Sequence, residues 1–379
     1  MSVKMKVTFT PIDEYFLGGE QNAGFGVDKR APYFIRSENI PTQTTILGVI
    51  RYSSLENNNL LTPNFDQGNR VDGNHKEEQE ALVGKNSFSF AALTEQSFGH
   101  IKKISPVFLE ENGDLYSRHP LNYRVGDDHT DVWQYEMFKM VKMKKSSSEV
   151  DEKSFWLPEN YKAKNGLPNA WIHPNEKKKL VHDTKVFFGK EKVGIIKLKK
   201  EKEDSGVFKK EYKGLRKGWH FTCVVNVESE TDLPKEKIVR MGQSKSLFYM
   251  ECKKTEMVWE DVIARINLGR VDGDSYHGVI YYAISDCYPN CPAEKLYQIC
   301  DFAVTQVRPF RSLETKRAVD RYYDVMKKTN KVALLRSGSV FYVPENRKNE
   351  FENLFADTHR KIGFNRLLRE EDNNESSII

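Results

Sequence analysis

The chain has 379 residues, 59 basic against 54 acidic, and a net charge of +5. At 39% hydrophobic and 30% charged, the composition implies a soluble globular protein of two domains or one duplicated domain with insertions, and there is no long apolar run for a membrane span. Five cysteines (Cys223, Cys252, Cys287, Cys291, Cys300) do not form a secreted disulfide pattern, and the strand-like start MSVKMKVTFTPI lacks a signal-peptide pattern, so a cytoplasmic protein is expected.

In chain order, MKVTFTP (5–11) alternates as a strand, and YFLGGEQNAGFGVDKR (15–30) is a glycine-rich loop. IPTQTTILGVIRY (40–52) predicts a helix capped by Thr42, with Ile46, Leu47 and Ile50 on one face and Val49 beside them. A glycine inside a helix costs about 0.5–1 kcal/mol relative to alanine, so at Gly48 either a close neighbour leaves no room for a side chain or the segment is not a helix. The first amides of this helix, at Gln43, Thr44 and Thr45, form a natural phosphate position. Residues 56–80 and 139–180 are polar, with little periodicity, and are expected to be insertions. IKKISPVFLEENGDLY predicts a hairpin turning at Asn112 and Gly113.

A second unit is expected from about residue 181. KVFFGKEKVGIIKLKK is a strand pair or long hairpin, and KGWHFTCVVNVES is the clearest strand. IVRMGQSKSLFYMECKK reads as strand, glycine turn, strand, and YHGVIYYAISDCYP as another strand. EKLYQICDFAV (294–304) predicts a helix, KRAVDRYYDVMKKTNKVALLRSGSVFYVPE a helix followed by a strand, and the tail from 369 disorder. Strand–helix–strand order seen twice implies an α+β protein of two ferredoxin-like (RRM-like) domains with insertions, at 1–180 and 181–368.

Basic residues cluster at Lys139–Lys145, Lys197–Lys202 and Arg308–Arg321. Solvated surface is the bland reading of any one cluster, but the chain is rich in aromatics, with 17 Tyr and 22 Phe, and basic clusters mixed with aromatics favour RNA over duplex DNA. Gly18, Gly19, Gly24 and Gly26 beside Lys29 and Arg30 read as an RNA-cradling loop or an ordinary turn. In VRPFRS, Arg308 and Arg311 could fork onto phosphates with Phe310 stacking a base, or Phe310 could pack on the core. Among nine histidines, His119 beside Arg118 and His129 beside Asp127 and Asp128 are the best catalytic candidates, and neither has a partner set. No Walker loop, HD dyad or cyclase motif is present. Cys287, Cys291 and Cys300 lack a C-x2-C pair, so neither a metal nor another cofactor is expected.

Taken together, FTPID, LGGEQNAGFGVDKR, PTQTTILGVIRY, the strand–insertion–strand passage from FFGKEKVG to VVNVE, VRMGQSKSLFYMEC, SGSVFYV and KIGFNRLL resemble the RAMP superfamily of CRISPR effector subunits. They are most similar to the type III-B (Cmr) subunits that hold the 5′ handle of the guide RNA; the equivalent type III-A subunits share the architecture. The middle turn here reads Gly242-Gln243-Ser244-Lys245 where relatives usually carry Gly-Gly-Glu and a basic residue, and the last glycine loop keeps Gly363 alone before Phe364.

The resemblance implies a non-catalytic crRNA-binding subunit in antiviral defence, with the large polymerase-cyclase subunit and an adjacent RAMP backbone subunit as protein partners and no membrane contact. Relatives that process guide RNA as endoribonucleases are the alternative. The RNA-binding residues it implies are Gly18, Gly19, Lys29, Arg30, Arg36, Gln43, Thr44, Thr45, Arg51, Gly242, Gln243, Ser244, Lys245, Arg308, Arg311, Arg336, Gly363, Asn365 and Arg366.

Overall fold

The computed structural model describes residues 2–19, 33–61, 75–92, 95–125, 135–144, 154–159, 168–174, 180–196, 206–242, 245–266, 276–317, 324–370 and 376–379. Lys29, Arg30, His129, Gln243 and Ser244, and the Lys197–Lys202 cluster, lie outside the described residues. The chain is a strand-rich α+β protein of two compact units. Unit 1 takes Met1–Gly113, Thr184–Met257 and Pro309–Ala333; unit 2 takes Asp114–Asp183, Val258–Arg308 and Leu334–Ile379. The units interleave along the chain, which differs from the single boundary expected near residue 180. The reason is strand pairing: residues 219–254 return to the first strand of the chain.

The strands that build the main sheets and one exposed ribbon are β1 (Val3–Pro11), β2 (Tyr33–Arg36), β3 (Ile101–Ile104), β4 (Phe108–Glu111), β5 (Phe187–Ile196), β6 (Gly206–Leu215), β7 (Trp219–Val227), β8 (Glu236–Met241), β9 (Ser246–Lys254), β10 (Val279–Ala283), β11 (Phe302–Val304), β12 (Val340–Val343), β13 (Leu367–Glu370) and β14 (Ser376–Ile378). The helices that accompany them are α1 (Gln43–Asn57), α2 (Ala293–Ile299), α3 (Lys348–Glu352) and α4 (Asp357–Arg360).

In unit 1, β1 lies between β7 and β9, antiparallel to both, with registers Val3↔Val227 to Phe9↔Phe221 and Met5↔Lys254 to Pro11↔Phe248. The sheet runs β4-β7-β1-β9-β8, and β3 also pairs with β7. The period-2 alternation of β1 buries Met5, Val7 and Phe9 on one face, with Phe221, Cys223 and Val225 from β7 and Phe248, Met250 and Cys252 from β9. Each such side chain contributes about 1.5–3 kcal/mol on burial.

Helix α1 reaches this face through Ile46, Leu47, Val49 and Ile50, all buried, and through Ser53, whose hydroxyl meets the Met250 sulfur at 3.9 Å. Its start is as expected: the Thr42 side chain accepts from the Thr45 amide at 3.3 Å. Gly48 is not as expected. It is exposed, and a Cβ built there has nothing within 4 Å. The close-packing explanation for this glycine is therefore wrong.

In unit 2 the sheet order is β11-β12-β10-β13-β14, antiparallel throughout, and α2, α3 and α4 fall between its strands in the chain. Val279, Tyr281, Phe341, Val343 and Leu367 form its core with Leu296 of α2 and Phe351 of α3.

Several other expectations need correction. DFAV does not continue a helix, because α2 ends at Ile299 and Phe302–Val304 pairs with β12. Asp324–Lys328, expected as helix, pairs as a strand with Leu313–Arg317. The C-terminal tail is not wholly irregular: β14 pairs with β13. Inside 139–180, Met140–Lys144 pairs with Ser154–Pro158. Asn112 and Gly113 do carry the positive φ values, 54° and 90°, that the expected two-residue turn requires.

The glycines give a direct test of this packing. Gly242 has φ +75°, and a Cβ there would lie 2.3 Å from the Phe16 carbonyl oxygen. Gly48→Ala should stabilise the chain by about 0.5–1 kcal/mol, and Gly242→Ala should destabilise it by about 2 kcal/mol or more, read as opposite shifts of the urea midpoint.

Candidate nucleic-acid interface

A ribbon in unit 1 gathers lysines on a paired-strand surface. β5 and β6 pair antiparallel over their full length, Phe187↔Leu215 to Ile196↔Gly206, and β2 joins β6 in parallel from Tyr33↔Phe208 to Arg36↔Glu211. Alternation puts Lys190, Lys192, Lys210 and Tyr212 on one face, and Phe34, Arg36, Glu191, Lys209, Glu211 and Lys213 on the other. Lysines two apart on a strand recur at about 6.6–6.8 Å.

Aromatic rings hold these cations. Lys192 lies over Tyr212 at 4.4 Å, Lys210 over Phe16 at 5.2 Å, and both Lys209 and Arg36 over Phe34 at 5.3 and 5.1 Å. Carboxylates hold them as well. Glu14 bridges Lys190 at 2.6 Å and Lys192 at 3.2 Å, and those two ammonium groups pull its carboxyl down to about 2. Glu211 pairs with Lys213 and, at 3.6 Å, with Arg36; Glu191 pairs with Lys209. The first face carries three lysines against one glutamate, so its cations are in excess. Exposed ion pairs are worth about 0–1 kcal/mol each, and a phosphate can replace such partners at little cost.

The ribbon is anchored at its base. Tyr15 and Lys213 exchange backbone hydrogen bonds of 2.7 and 2.9 Å, and the Tyr15 hydroxyl donates to the Asn39 carbonyl at 2.7 Å. Next to it the Phe16 ring packs on Tyr212 at 5.5 Å, its amide donates to the Ser246 hydroxyl, and its carbonyl is the atom that crowds Gly242. Phe16 thus joins three segments: the start of the first glycine loop, the Gly242 turn and the ribbon.

Around this junction lie five of the expected site residues. Gly18 bridges to Ser37, and Gly19 is exposed beside Glu38. Arg36 lies on the ribbon, and Gly242 and Lys245 form the turn, with the Lys245 amide donating to the Gly242 carbonyl at 3.1 Å. The first helix turn is different. Gln43 is buried and its side-chain amide donates to the Ser105 carbonyl at 2.9 Å, so its side chain is part of the packing. The hydroxyls of Thr44 and Thr45 meet that of Thr42 at 3.1 and 2.9 Å. Arg51 donates to the Asn86 carbonyl at 2.9 Å and lies over the Phe98 ring. Arg311 is exposed, whereas Phe310 is buried against Phe90 at 5.9 Å, which supports the core reading of that ring.

The remaining expected residues belong to unit 2. Asp286 organises them: it pairs with Arg308 at 2.5 Å, accepts from the Ser337 amide at 3.0 Å, and its carbonyl accepts from Asn365. Arg336 donates its amide to the Gln306 carbonyl. Gly363 has φ +89° and is buried. Asn365 is fully buried and accepts from the Tyr288 amide at 2.7 Å, which makes it a latch between loops. Arg366 lies over Trp259 at 5.9 Å, and burial lowers its pKa, with Arg360 adding to the effect. Arg118, also lowered by burial, pairs with Asp183 at 3.4 Å. His119 is buried against the Pro120 carbonyl at 2.8 Å and pushed down to about 4 by desolvation, so it is packed and neutral at pH 7. Cys287, Cys291 and Cys300 belong to the unit 2 core. Among the described residues no group of three or more His, Cys, Asp or Glu is placed to hold a metal.

Sequence reading missed the ribbon's own residues, Lys190, Lys192, Lys209, Lys210, Phe34 and Tyr212. The signal was there: lysines two apart in a predicted strand share a face. Glu14 supplies the test. Its folded pKa, about 2, lies below the ordinary 4.5, so its pairing contributes stability that is full above pH 4.5 and is lost as pH falls toward 2. Lys190→Ala with Lys192→Ala should return the Glu14 carboxyl toward 4.5 in an NMR titration, while Lys217→Ala should leave it unchanged.

No curated protein matches the chain. The chain is similar to solved structures of type III-B Cmr-beta: a cryo-EM structure bound to cognate target RNA and AMPPnP (TM-score 0.47, 11% identity, 96% of each chain covered) and one bound to cognate target RNA (TM-score 0.47, 12% identity, 96% of each). The apo state matches at TM-score 0.26 and 12% identity over 69% of this chain and 99% of that one. The model of the CRISPR-associated protein family Cas_Cmr3 matches residues 7–369. With the match running over nearly its whole length, the chain belongs to the Cas_Cmr3 family of CRISPR-associated proteins, as the glycine turns and their order implied.

Proposed function

We propose that this type III-B Cmr subunit binds the 5′ handle of crRNA without catalysing a reaction, and that it bridges the large polymerase-cyclase subunit to the adjacent backbone subunit in cytoplasmic antiviral defence. The observation that carries the reading is the Phe16 junction. There the start of the first glycine loop, the Gly242 turn and a ribbon with excess lysine meet at one residue, the ribbon on its ring and the turn on its backbone carbonyl. Backbone amides freed by glycine suit phosphate oxygens, the lysines neutralise them, and Tyr212 offers a face to a base.

The proposed architecture is two ferredoxin-like units, each following β-α-β-β-α-β with sheet order 2-3-1-4. Unit 2 supports it through β10, α2, β11, β12, α3–α4 and β13 in the order β11-β12-β10-β13, with further strands in the chain between β11 and β12. Unit 1 has the same order, β4-β7-β1-β9, but between β7 and β9 it carries the strand β8 where the second helix would stand.

Handle RNA binding should be measured by fluorescence anisotropy, with the chain alone and in the co-expressed complex, across a salt series. Lys192→Ala with Lys210→Ala should weaken binding at least tenfold and flatten the logarithmic salt dependence by about 1.4, two contacts at about 0.7 each for single-stranded RNA. Unchanged affinity would refute the ribbon as the site, and specific cleavage of repeat RNA by the purified chain would refute the non-catalytic role.

A further inference from the structure

The face of the unit 1 sheet opposite α1 has a different chemistry from the ribbon. Cross-strand register assembles one row from Glu110, His220, Thr10, Tyr249 and Ile238, and a neighbouring row from Ile12, Leu247 and Arg240. A shallow depression of about 300 Å3 runs between Lys6, His220 and Tyr249. Its charges are already matched. Lys6 pairs with Glu110 at 2.6 Å, which also accepts from the Thr222 hydroxyl; Lys253 pairs with Glu251 at 2.8 Å; the Tyr249 hydroxyl donates to Glu236.

What is unmatched here is apolar. Ile12, Ile238, Leu247 and Tyr249 are 52%, 58%, 44% and 38% exposed, and they adjoin one another through the Ile12–Leu247 backbone hydrogen bond and the Tyr249↔Ile238 pair. A contiguous exposed patch of this kind marks an interaction site more often than scattered single residues do.

The strand beside the patch is also incomplete. β8 ends the sheet and pairs only with β9 among the described residues. The Cys252 amide donates to the Lys235 carbonyl, so antiparallel alternation turns the amides and carbonyls of Glu236, Ile238 and Arg240 away from β9. Two of the three charges on β8 are occupied: Glu236 by Tyr249, and Lys237 by Glu56. The Arg240 guanidinium has no partner among the described residues, and it is exposed.

We propose that β8 and the face beside it dock a protein partner, another subunit of the same effector complex. The partner adds a strand along β8, covers Ile238, Tyr249, Leu247 and Ile12 with apolar side chains, and brings a carboxylate to Arg240. This assignment stands apart from the handle-binding reading, since it uses the main sheet of unit 1 and not the ribbon. An RNA strand fits poorly: its phosphates would meet Glu110, Glu236 and Glu251, and the lysines nearby are already paired. A second copy of this chain also fits poorly. Two β8 strands paired about Ile238 would continue the sheet in its own plane and leave Leu247 and Ile12 in solvent. A six-residue edge alone falls well short of the roughly 1,200 Å2 that a specific interface buries.

The test compares amide hydrogen exchange in the purified chain with that in the complex co-expressed with the other subunits. The Ile238 and Arg240 amides should slow at least tenfold on assembly. Ile238→Lys with Leu247→Lys should cut co-purification of the chain with the complex at least tenfold, with the thermal midpoint of the isolated chain unchanged. Arg240→Glu should weaken assembly while Arg240→Lys retains it, which keeps the test decisive if the double variant misfolds. Unchanged exchange together with normal assembly of the variants would overturn the proposal. So would protection that appears in the isolated chain with rising concentration, or on adding handle RNA alone.

Discussion

Unit 1 depends on the pairing of β1 with two strands that lie far away in sequence. Thr10 and His220 share a hydrogen bond of 2.7 Å across 210 residues, and the registers with β7 and β9 leave β1 no free edge. Everything between must leave the sheet and return to it. α1 departs from the end of β1 and packs back on its apolar face, β4 returns beside β7, and the ribbon re-enters the rim at the Tyr15–Lys213 bridge immediately before β7 begins. Such long-range pairing closes large loops before any contact rewards them, so this unit is expected to fold slowly.

Three electrostatic environments occur in the two units. On the ribbon, lysines outnumber their carboxylates and rest on aromatic rings, so an incoming phosphate gains charge-assisted bonds while displacing contacts worth about 0–1 kcal/mol. On the opposite face of the main sheet, cations and anions are matched within the surface, which leaves apolar contact as the main gain on binding. In unit 2, Arg118 and Arg308 are largely buried against Asp183 and Asp286. Breaking such a pair strands a buried charge and costs several kcal/mol, so these arginines hold their loops more than they await a ligand.

Much of this was legible where a residue's role follows from its own backbone. The Thr42 cap, the Asn112–Gly113 turn and the alternation of β1 and β7 follow from local rules, and all three stand in the structure. Gly242 and Gly48 show the limit. Both are single glycines in family-like motifs, but one has a positive φ and the Phe16 carbonyl against it, while the other faces open space. Which neighbour arrives is a tertiary fact that no local pattern encodes. Gln43 shows the same limit: nothing local tells that its side-chain amide is engaged by the Ser105 carbonyl, 62 residues away. Asp324–Lys328 reads equally as helix or strand because a short basic and apolar run has no decisive period, and pairing with Leu313–Arg317 makes it a strand.

The central claim is that RNA lies on the ribbon and the Phe16 junction, and that the apolar sheet face is left for protein. The most direct measurement is photo-crosslinking of the assembled complex carrying 4-thiouridine in the crRNA handle, with the crosslinked peptides of this chain located by mass spectrometry. The account predicts crosslinks to residues 15–36, 187–215 and 242–246. Crosslinks confined to Ile12, Ile238, Leu247 and Tyr249, with none on the ribbon, would contradict it.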